Sequence, residues 1–344
     1  MRLLKQLHPS RIDRIVCDLG RTRVRFALNP SDQLLHDSIV EWATKKFDQS
    51  ESPIADFLKL YMSSHGIKPK LTTIMMSVPT NVLYDQVEFY DKPSWQFSIE
   101  ALKNELGVKA LQVTNDMVAL GYATPLYRAT GKYQLIGNGV AKRHAPILTI
   151  GVRSGVGALC MVLTPQIYDG ESIWLPIQSE GGHIELAARD SYESELMTEI
   201  AGNLGRTPKV SDVLSAEGTI LLYRILAEQN KIPADLELTP IGLNKRANAN
   251  KPDSAIAAQT IQLWCRFLGS YAKNLALAFG AHGGIYIAGP VPSDLLGGNQ
   301  FEHHKLFRER FESGGPGGTY LSNIPTALIT HPNPYLLGLG RIIL

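Results

Sequence analysis

Cysteine is scarce in this chain: Cys17, Cys160 and Cys265 are the only three in 344 residues, far apart and each in an apolar stretch. That pattern argues against a disulfide framework or a cysteine metal site, and for three buried free thiols in a reducing compartment. An excess of one charge is also missing. Lys plus Arg number 34 against 32 acidic residues, a net charge of +2, with no run of basic residues interleaved with aromatics. Such balance speaks against nucleic acid or a membrane surface as a partner. No apolar stretch approaches membrane-spanning length, and Met1 to Arg14 is basic and polar without an apolar core, so a cytoplasmic location is expected. His303-His304 has no third ligand at metal spacing and reads as a solvated pair.

What is present fits a two-domain globular protein. The chain exceeds the length one hydrophobic core usually serves, and 44% apolar with 19% charged residues is ordinary for a globular protein. Strand-like runs alternate with helical patterns, the mark of an α/β fold. Thr73 to Val78 and Ile285 to Ala288 read as buried strands. Helices are expected over Ala101 to Leu106, Asp116 to about Leu126, Tyr192 to Asn203, Val210 to Gln229 with an interruption near Ala216 to Gly218, and Ser254 to Ala278. Tyr127 to His144 and Ser313 to Gly318 read as surface loops. Tyr335 to Leu344 reads as a final helix too apolar to stay undocked.

Two short turns stand out as copies of one device. Asp18-Leu19-Gly20-Arg21-Thr22 lies between apolar runs ending at Cys17 and beginning at Val24. Gly151-Val152-Arg153-Ser154-Gly155-Val156-Gly157 lies between Ile147 to Ile150 and Ala158 to Leu163. Each is strand, glycine-containing tight turn, strand. Turns of this kind aim backbone N–H groups into one concavity, which suits phosphate. Two of them point to a duplicated fold that grips a polyphosphate.

Three further constellations carry chemistry. Asn115-Asp116 closes a strand and opens a helix; Asp116 is either a helix N-cap or a carboxylate at the carboxyl end of a parallel strand, where open α/β sheets hold ligands. In Ser179-Glu180-Gly181-Gly182-His183 the paired glycines let the backbone turn sharply and bring Glu180 and His183 towards one point. That pair either grips adjacent sugar hydroxyls or forms a plain turn with a satisfied histidine. Ile287-Ala288-Gly289-Pro290 ends a buried strand in a turn that either lies against a flat ring such as adenine or is a simple strand exit.

Taken in order, these pieces resemble one family, the bacterial glucokinases of the hexokinase and actin-like superfamily. Asp18 to Phe26 is similar to its first phosphate loop, Gly151 to Gly157 to its second, Asn115-Asp116 to its sugar-and-base pair and Ser179 to His183 to its sugar loop. Val213-Leu214-Ser215, Ile287-Ala288-Gly289 and Asn333 to Gly338 are similar to its next stretch, its adenosine strand and its C-terminal signature. The resemblance covers nearly everything from Ile15 to Leu344. It implies a two-domain actin-like (ribonuclease H-like, duplicated) α/β fold with a cleft, residues 12–126 plus 325–344 forming the small domain and 127–324 the large one. It implies ATP and Mg²⁺ as cofactors and phosphoryl transfer to the 6-hydroxyl of glucose, with a homodimer as the family's assembly. Asp116 would be the general base, and Asn115, Asp116, Glu180 and His183 would bind the sugar. Asp18 would hold Mg²⁺, and Gly20, Thr22, Ser154 and Gly155 would line the phosphates, with Gly289 bordering the adenosine.

The chain also departs from the family pattern. Arg21 and Arg153 stand where the family has glycine, Arg23 and Lys92 where it has asparagine, and Ser211 aligns with a sugar-binding glutamate. An arginine forced to φ > 0 costs on the order of 1 kcal/mol or more. The two turn arginines either bind phosphate or fill the nucleotide site, and the second outcome would leave a homologue that binds sugar without turnover. A sugar-responsive transcription factor is disfavoured, because about a dozen residues before the first strand are too few for a helix-turn-helix domain.

Overall fold

Every residue of Thr73–Val78 is buried, as a strand covered on both faces requires. A computed structural model describes residues 14–30, 34–89, 92–168, 171–235, 237–314 and 319–342, and in it that strand lies inside a five-stranded sheet. The sheet is built from β1 (Arg14–Leu19), β2 (Arg23–Leu28), β3 (Leu35–Ala43), β4 (Thr73–Val78) and, beyond the small three-stranded sheet of β5 (Val82–Leu83), β6 (Gln86–Val87) and β7 (Phe97–Ser98), β8 (Ala110–Asn115). Its order is β3-β2-β1-β4-β8, antiparallel as far as β1 and parallel from there on.

Alternation along these strands feeds two cores. Ile15, Cys17, Phe26, Ile74 and Met76 face α1 (Pro53–Ser64) and α2 (Ile99–Leu106), where Phe57, Tyr61 and Leu102 meet them. Val16, Ala27 and Met75 face the other way, onto Ala119 of α3 (Asp116–Thr130) and Leu336 and Leu339 of the last helix. With both faces apolar, the strands read as continuous hydrophobic runs rather than as alternation.

The second sheet repeats the plan. Its strands are β9 (Gln134–Gly137), β10 (Ile147–Val152), β11 (Val156–Tyr168), β12 (Glu171–Ser179), β13 (Ile285–Ala288) and β14 (Thr326–Leu328). The order β12-β11-β10-β13-β14-β9 again runs antiparallel to the central strand and parallel through the next two. The duplication therefore extends over five strands in each half, well past the two hairpins; β9 is added at the edge, antiparallel to β14.

Helices α4 (Ser191–Leu204), α5 (Val210–Leu214), α6 (Ala216–Gln229), α7 (Pro240–Ala247), α8 (Ser254–Phe279), α9 (Pro290–Leu296) and α10 (Phe301–Glu312) belong to this half, and α11 (Pro334–Leu339) ends the set. α8 is its spine, buried from Ile256 to Ala276 along one broad face. No helix among the described residues is long and apolar enough to cross a membrane.

The chain packs as two compact units that divide at Ala123/Thr124, inside α3, and again at His331/Pro332. Pairing of β14 with β13 keeps the chain in the second unit past position 325. Within the first unit, α11 packs on β1 and β4. The final helix stops at Leu339, short of the expected Leu344; Ile343 and Leu344 lie outside the described residues.

Two local expectations need correction, and a third falls largely outside the described residues. Tyr127 to His144 is only partly loop, because α3 continues through Pro125 to Thr130 and Gln134–Gly137 pairs as β9. Of the Ser313 to Gly318 segment, residues 315–318 lie outside the described residues. His303 and His304 are not a solvated pair. They reach back to the last carbonyls of α9, Nδ1 of His303 at 2.7 Å from Leu295 O and Nε2 of His304 at 2.6 Å from Leu296 O. Carbonyls at a helix end lack helical partners, and the two imidazoles supply them.

Gly338 shows how closely α11 docks. A Cβ there would lie 1.6 Å from the Ala119 carbonyl oxygen of α3. Gly338→Ala is expected to lower stability by about 1–3 kcal/mol or more, as overpacking against main chain does. Denaturant unfolding with an unchanged midpoint would contradict this docking.

Candidate active site

In the first unit, parallel pairing aligns Asp18 of β1 with Ser77 of β4, and Ser77 with Thr114 of β8, at the carboxyl ends of all three strands. Asp18 is buried, accepts a hydrogen bond from Ser77 Oγ at 3.0 Å, and lies 3.5 Å from the Arg25 guanidinium. A carboxylate so far from water needs such partners. Ser77 is a hydroxyl residue near the end of a strand that is apolar from Ile74 to Met76, a signal that sequence reasoning passed over.

Arg25 also reaches Glu41 at 2.6 Å, and Arg23 pairs with the same carboxylate. Burial pushes the Glu41 carboxyl up, but its bonds to Arg23 and Arg25 outweigh this and hold it below its ordinary value. Burial, with the Asp18 charge adding to it, raises the Cys17 thiol well above its ordinary value, so Cys17 is a packing residue and no nucleophile.

The first turn is strapped from behind. Gly20 N–H donates to Arg23 O at 2.9 Å, and Thr44 N–H donates to Thr22 O at 3.0 Å. Thr44 Oγ1 donates to Arg21 O at 3.2 Å and accepts from Lys92 Nζ at 2.9 Å. Lys92 in turn lies over the Trp95 ring, 4.6 Å from its centroid. The backbone of Arg21 and Thr22 is thus held by the hydroxyl and the N–H of Thr44, with both side chains exposed.

Asn115 ends β8 and caps α3. Its Oδ1 accepts from Met117 N–H at 2.9 Å, and its Nδ2 donates to Thr80 O at 3.1 Å. The cap at this junction is therefore Asn115, which leaves Asp116 as the first helical residue, half-buried. An acid in that position is favoured by the helix dipole.

The second unit presents a comparable edge. The β10–β11 turn closes through Arg153 N–H to Gly155 O at 2.8 Å. Two helices hold it: Ala216 N–H donates to Arg153 O at 2.9 Å, and Val156 N–H donates to Ser211 Oγ at 3.1 Å. The interruption expected near 216–218 is a break at Ser215. Ser215 ends α5 and caps α6 through Gly218 N–H at 3.0 Å, while the freed Ala216 N–H serves the turn.

Gly289, at φ 120°, stands beside the same turn; a Cβ there would lie 2.0 Å from Val152 O, in a conformation that only glycine adopts easily. The Glu180–His183 turn flanks the other side. Glu180 and His183 are both exposed, with His183 Nε2 3.8 Å from Glu180 Oε2. The paired glycines are there for room rather than for a left-handed backbone. A Cβ on Gly182 would lie 1.8 Å from Val156 O, one on Gly181 would lie 2.7 Å from Tyr271 Oη, and neither residue has positive φ.

Neither turn arginine has the positive φ that would strain it. Among the described residues, Tyr84 and Lys231 are the only non-glycine residues with positive φ. Arg21 and Arg153 replace no left-handed glycine, so neither turn is strained by its arginine. No group of three or more His, Cys, Asp or Glu side chains among the described residues is placed to hold a metal.

The expected site residues therefore fall into two sets. Asp18, Gly20, Thr22, Asn115 and Asp116 gather at one edge of the first sheet. Ser154, Gly155, Glu180, His183 and Gly289 gather at one edge of the second. Ser77, Thr44, Lys92 and Ser211 support them.

Comparison with known proteins bears on the family and the fold. The family model described as glucokinase matches residues 15–344. A glucokinase of Photorhabdus laumondii is 31% identical over 330 residues, 96% of each chain. Other relatives, named as bifunctional proteins, are longer, and the chain spans about half of them (48%). Among solved structures, a glucokinase from an Antarctic psychrotroph superposes with TM-score 0.77 at 28% identity, covering 95% of this chain and 97% of that one. A glucokinase of the ROK family from Streptomyces griseus, in complex with glucose and AMPPNP, superposes with TM-score 0.59 at 16% identity over 95% of this chain and 97% of that one. The duplicated sheet order and these superpositions make the fold actin-like.

Two glycines of the second unit separate close approach from free space. Gly182→Ala drives a Cβ into the Val156 carbonyl, whereas a Cβ at Gly155 meets nothing within 4 Å. Gly182→Ala should destabilise by several kcal/mol, and Gly155→Ala should stay within about 0.5 kcal/mol of the parent. Thermal unfolding of both variants checks the contrast, and equal midpoints would refute it.

Proposed function

The chain belongs to the glucokinase family, and from that premise we propose that it transfers the terminal phosphoryl group of ATP to the 6-hydroxyl of glucose. The observation that carries this reading is the same in both units. A glycine hairpin meets polar side chains at the carboxyl ends of parallel strands, where open α/β sheets bind ligands.

Asp116 is the general base, accepting the proton of the attacking hydroxyl. Asn115, with its amide fixed by Thr80 and Met117, and the exposed Glu180 and His183 hold the other hydroxyls; a carboxylate only accepts, whereas an imidazole donates or accepts. Gly20, Thr22, Ser154 and Gly155 line the phosphates, and Gly289 borders the adenosine. Phosphoryl transfer asks for positioning and charge neutralisation more than for covalent participation, and strapped turns with fixed side chains supply both.

Asp18 fits Mg²⁺. It is a single buried carboxylate at a strand end, and Mg²⁺ is commonly held by one or two carboxylates together with substrate phosphates. When bound, the ion neutralises phosphate charge; the chain's own part is to hold Asp18 in place through Ser77 and Arg25.

Arg21 and Arg153 join the phosphate ligands in this reading. Their turns keep an ordinary backbone, and guanidinium groups match phosphate geometry well. A homodimer, implied by the family resemblance, and a cytoplasmic location, expected from the sequence alone, are both open to direct measurement.

A coupled assay of glucose 6-phosphate formation with ATP, Mg²⁺ and glucose tests the activity, and absence of turnover would overturn it. Asp116→Asn should lower kcat by about 10²–10⁴, the usual contribution of a general base, while calorimetry shows glucose still bound. Arg153→Gly should weaken ATP binding by roughly tenfold, near what a charge-assisted hydrogen bond contributes. Tighter ATP binding in that variant would mean that the arginine blocks the site.

A further inference from the structure

Tyr271, on the spine helix α8, is 1% exposed, and its hydroxyl finds no hydrogen-bond partner among the described residues. Burial pushes its phenol pKa up, so it remains a protonated donor across the accessible pH range. The hydroxyl is not lost among aliphatic side chains. It stands 2.7 Å from the point a Gly181 Cβ would occupy, and Ser179 Oγ stands 3.2 Å from that same point. It therefore lies directly beneath the turn that carries Glu180 and His183.

The turn above it is unevenly closed. His183 N–H donates to Glu180 O at 2.8 Å, but Ile184 N–H reaches Gly181 O only at 3.5 Å, the outer limit of a hydrogen bond. Ser179 Oγ is already used in both directions, donating to Ala158 O at 2.8 Å and accepting from Gly181 N–H at 3.3 Å. The turn thus holds a weakly satisfied carbonyl, with a buried donor in need of an acceptor close by. A stranded buried hydroxyl is unfavourable, and phenylalanine would fill the same space without that penalty.

We propose that Tyr271 is a positioning residue for glucose: when sugar engages Glu180 and His183, the turn settles and the Tyr271 hydroxyl donates to one of its main-chain carbonyls. The bond exists only in the liganded state, so its strength appears as sugar affinity. The inference rests on the sugar-binding role given above to Glu180 and His183.

The test is Tyr271→Phe, with glucose binding followed by calorimetry and turnover by the coupled assay. Loss of one neutral hydrogen bond formed on binding should raise both Kd and KM for glucose about fivefold, with kcat within about twofold. The unliganded variant should melt at the parent temperature or above it, because the substitution removes an unsatisfied hydroxyl. A merely structural hydroxyl would leave Kd and KM unchanged, and that result overturns the inference, as does a fall in kcat with KM unmoved. A parent protein that does not bind glucose would instead overturn the sugar-binding reading itself, so the two failures are distinguishable.

Discussion

A carbonyl of one strand lying against the α-carbon of a turn is the contact on which the second unit's polar edge depends. Val156 O comes so near Gly182 that no side chain larger than hydrogen fits, and Val152 O makes the same demand of Gly289. Both carbonyls belong to residues that bracket the turn at Arg153 to Gly155. One hairpin is thus wedged between Gly289 and the Glu180–His183 turn, and Ser211 and Ala216 fasten its own N–H and C=O groups from the helix side. The backbone that would face a phosphate is held by close main-chain packing, which does not depend on side-chain rotamers. That is why serine and arginine can stand at the tip without disturbing it.

The first unit reaches the same end by a different route. There a polar chain runs from Lys92 through Thr44 to Arg21 O, and Asp18 is fixed by Ser77 and Arg25. In both units the parallel strands set the register, so that polar residues at the carboxyl ends fall side by side although they are far apart in sequence. Asp18 and Ser77 are 59 residues apart and share a hydrogen bond. Equal strand order in the two sheets makes this a property of the duplicated topology.

This also explains what could be read in the sequence. The hairpins, the long helix α8 and the site motifs were legible because each is a local pattern: turn residues between apolar runs, or apolar spacing along a helix. The five-strand repeat was not, because its central strands are covered on both faces and carry no alternation to mark their partners. At Asn115-Asp116 the choice of cap turned on one residue, and two adjacent Asx residues offer the same capping chemistry. His303 and His304 were misread because their acceptors, Leu295 O and Leu296 O, belong to a preceding helix that only the fold brings close. Thr44 is an ordinary hydroxyl residue whose partners lie in other elements, and no spacing within the chain marks it; Ser77 and Ser211 stand out in the sequence, but their partners Asp18 and Val156 lie in other elements.

The arginines at the two turns show how far a substitution can be judged from residue type alone. Glycine has two uses at such places, left-handed backbone and close approach, and replacing it is harmful only where one of them applies. At Gly182 close approach applies, and at Gly289 both do. At Arg21 and Arg153 the backbone is not left-handed, so the first use is absent, and neither arginine distorts its hairpin. What they change is charge, at the edge where each unit gathers its polar residues. An edge that already carries the buried carboxylate Asp18 beside Arg25 tolerates a further exposed cation, because added positive charge offsets the acid and draws an anion. Phosphoryl transfer needs that kind of field, and the arginines add to it without straining the backbone.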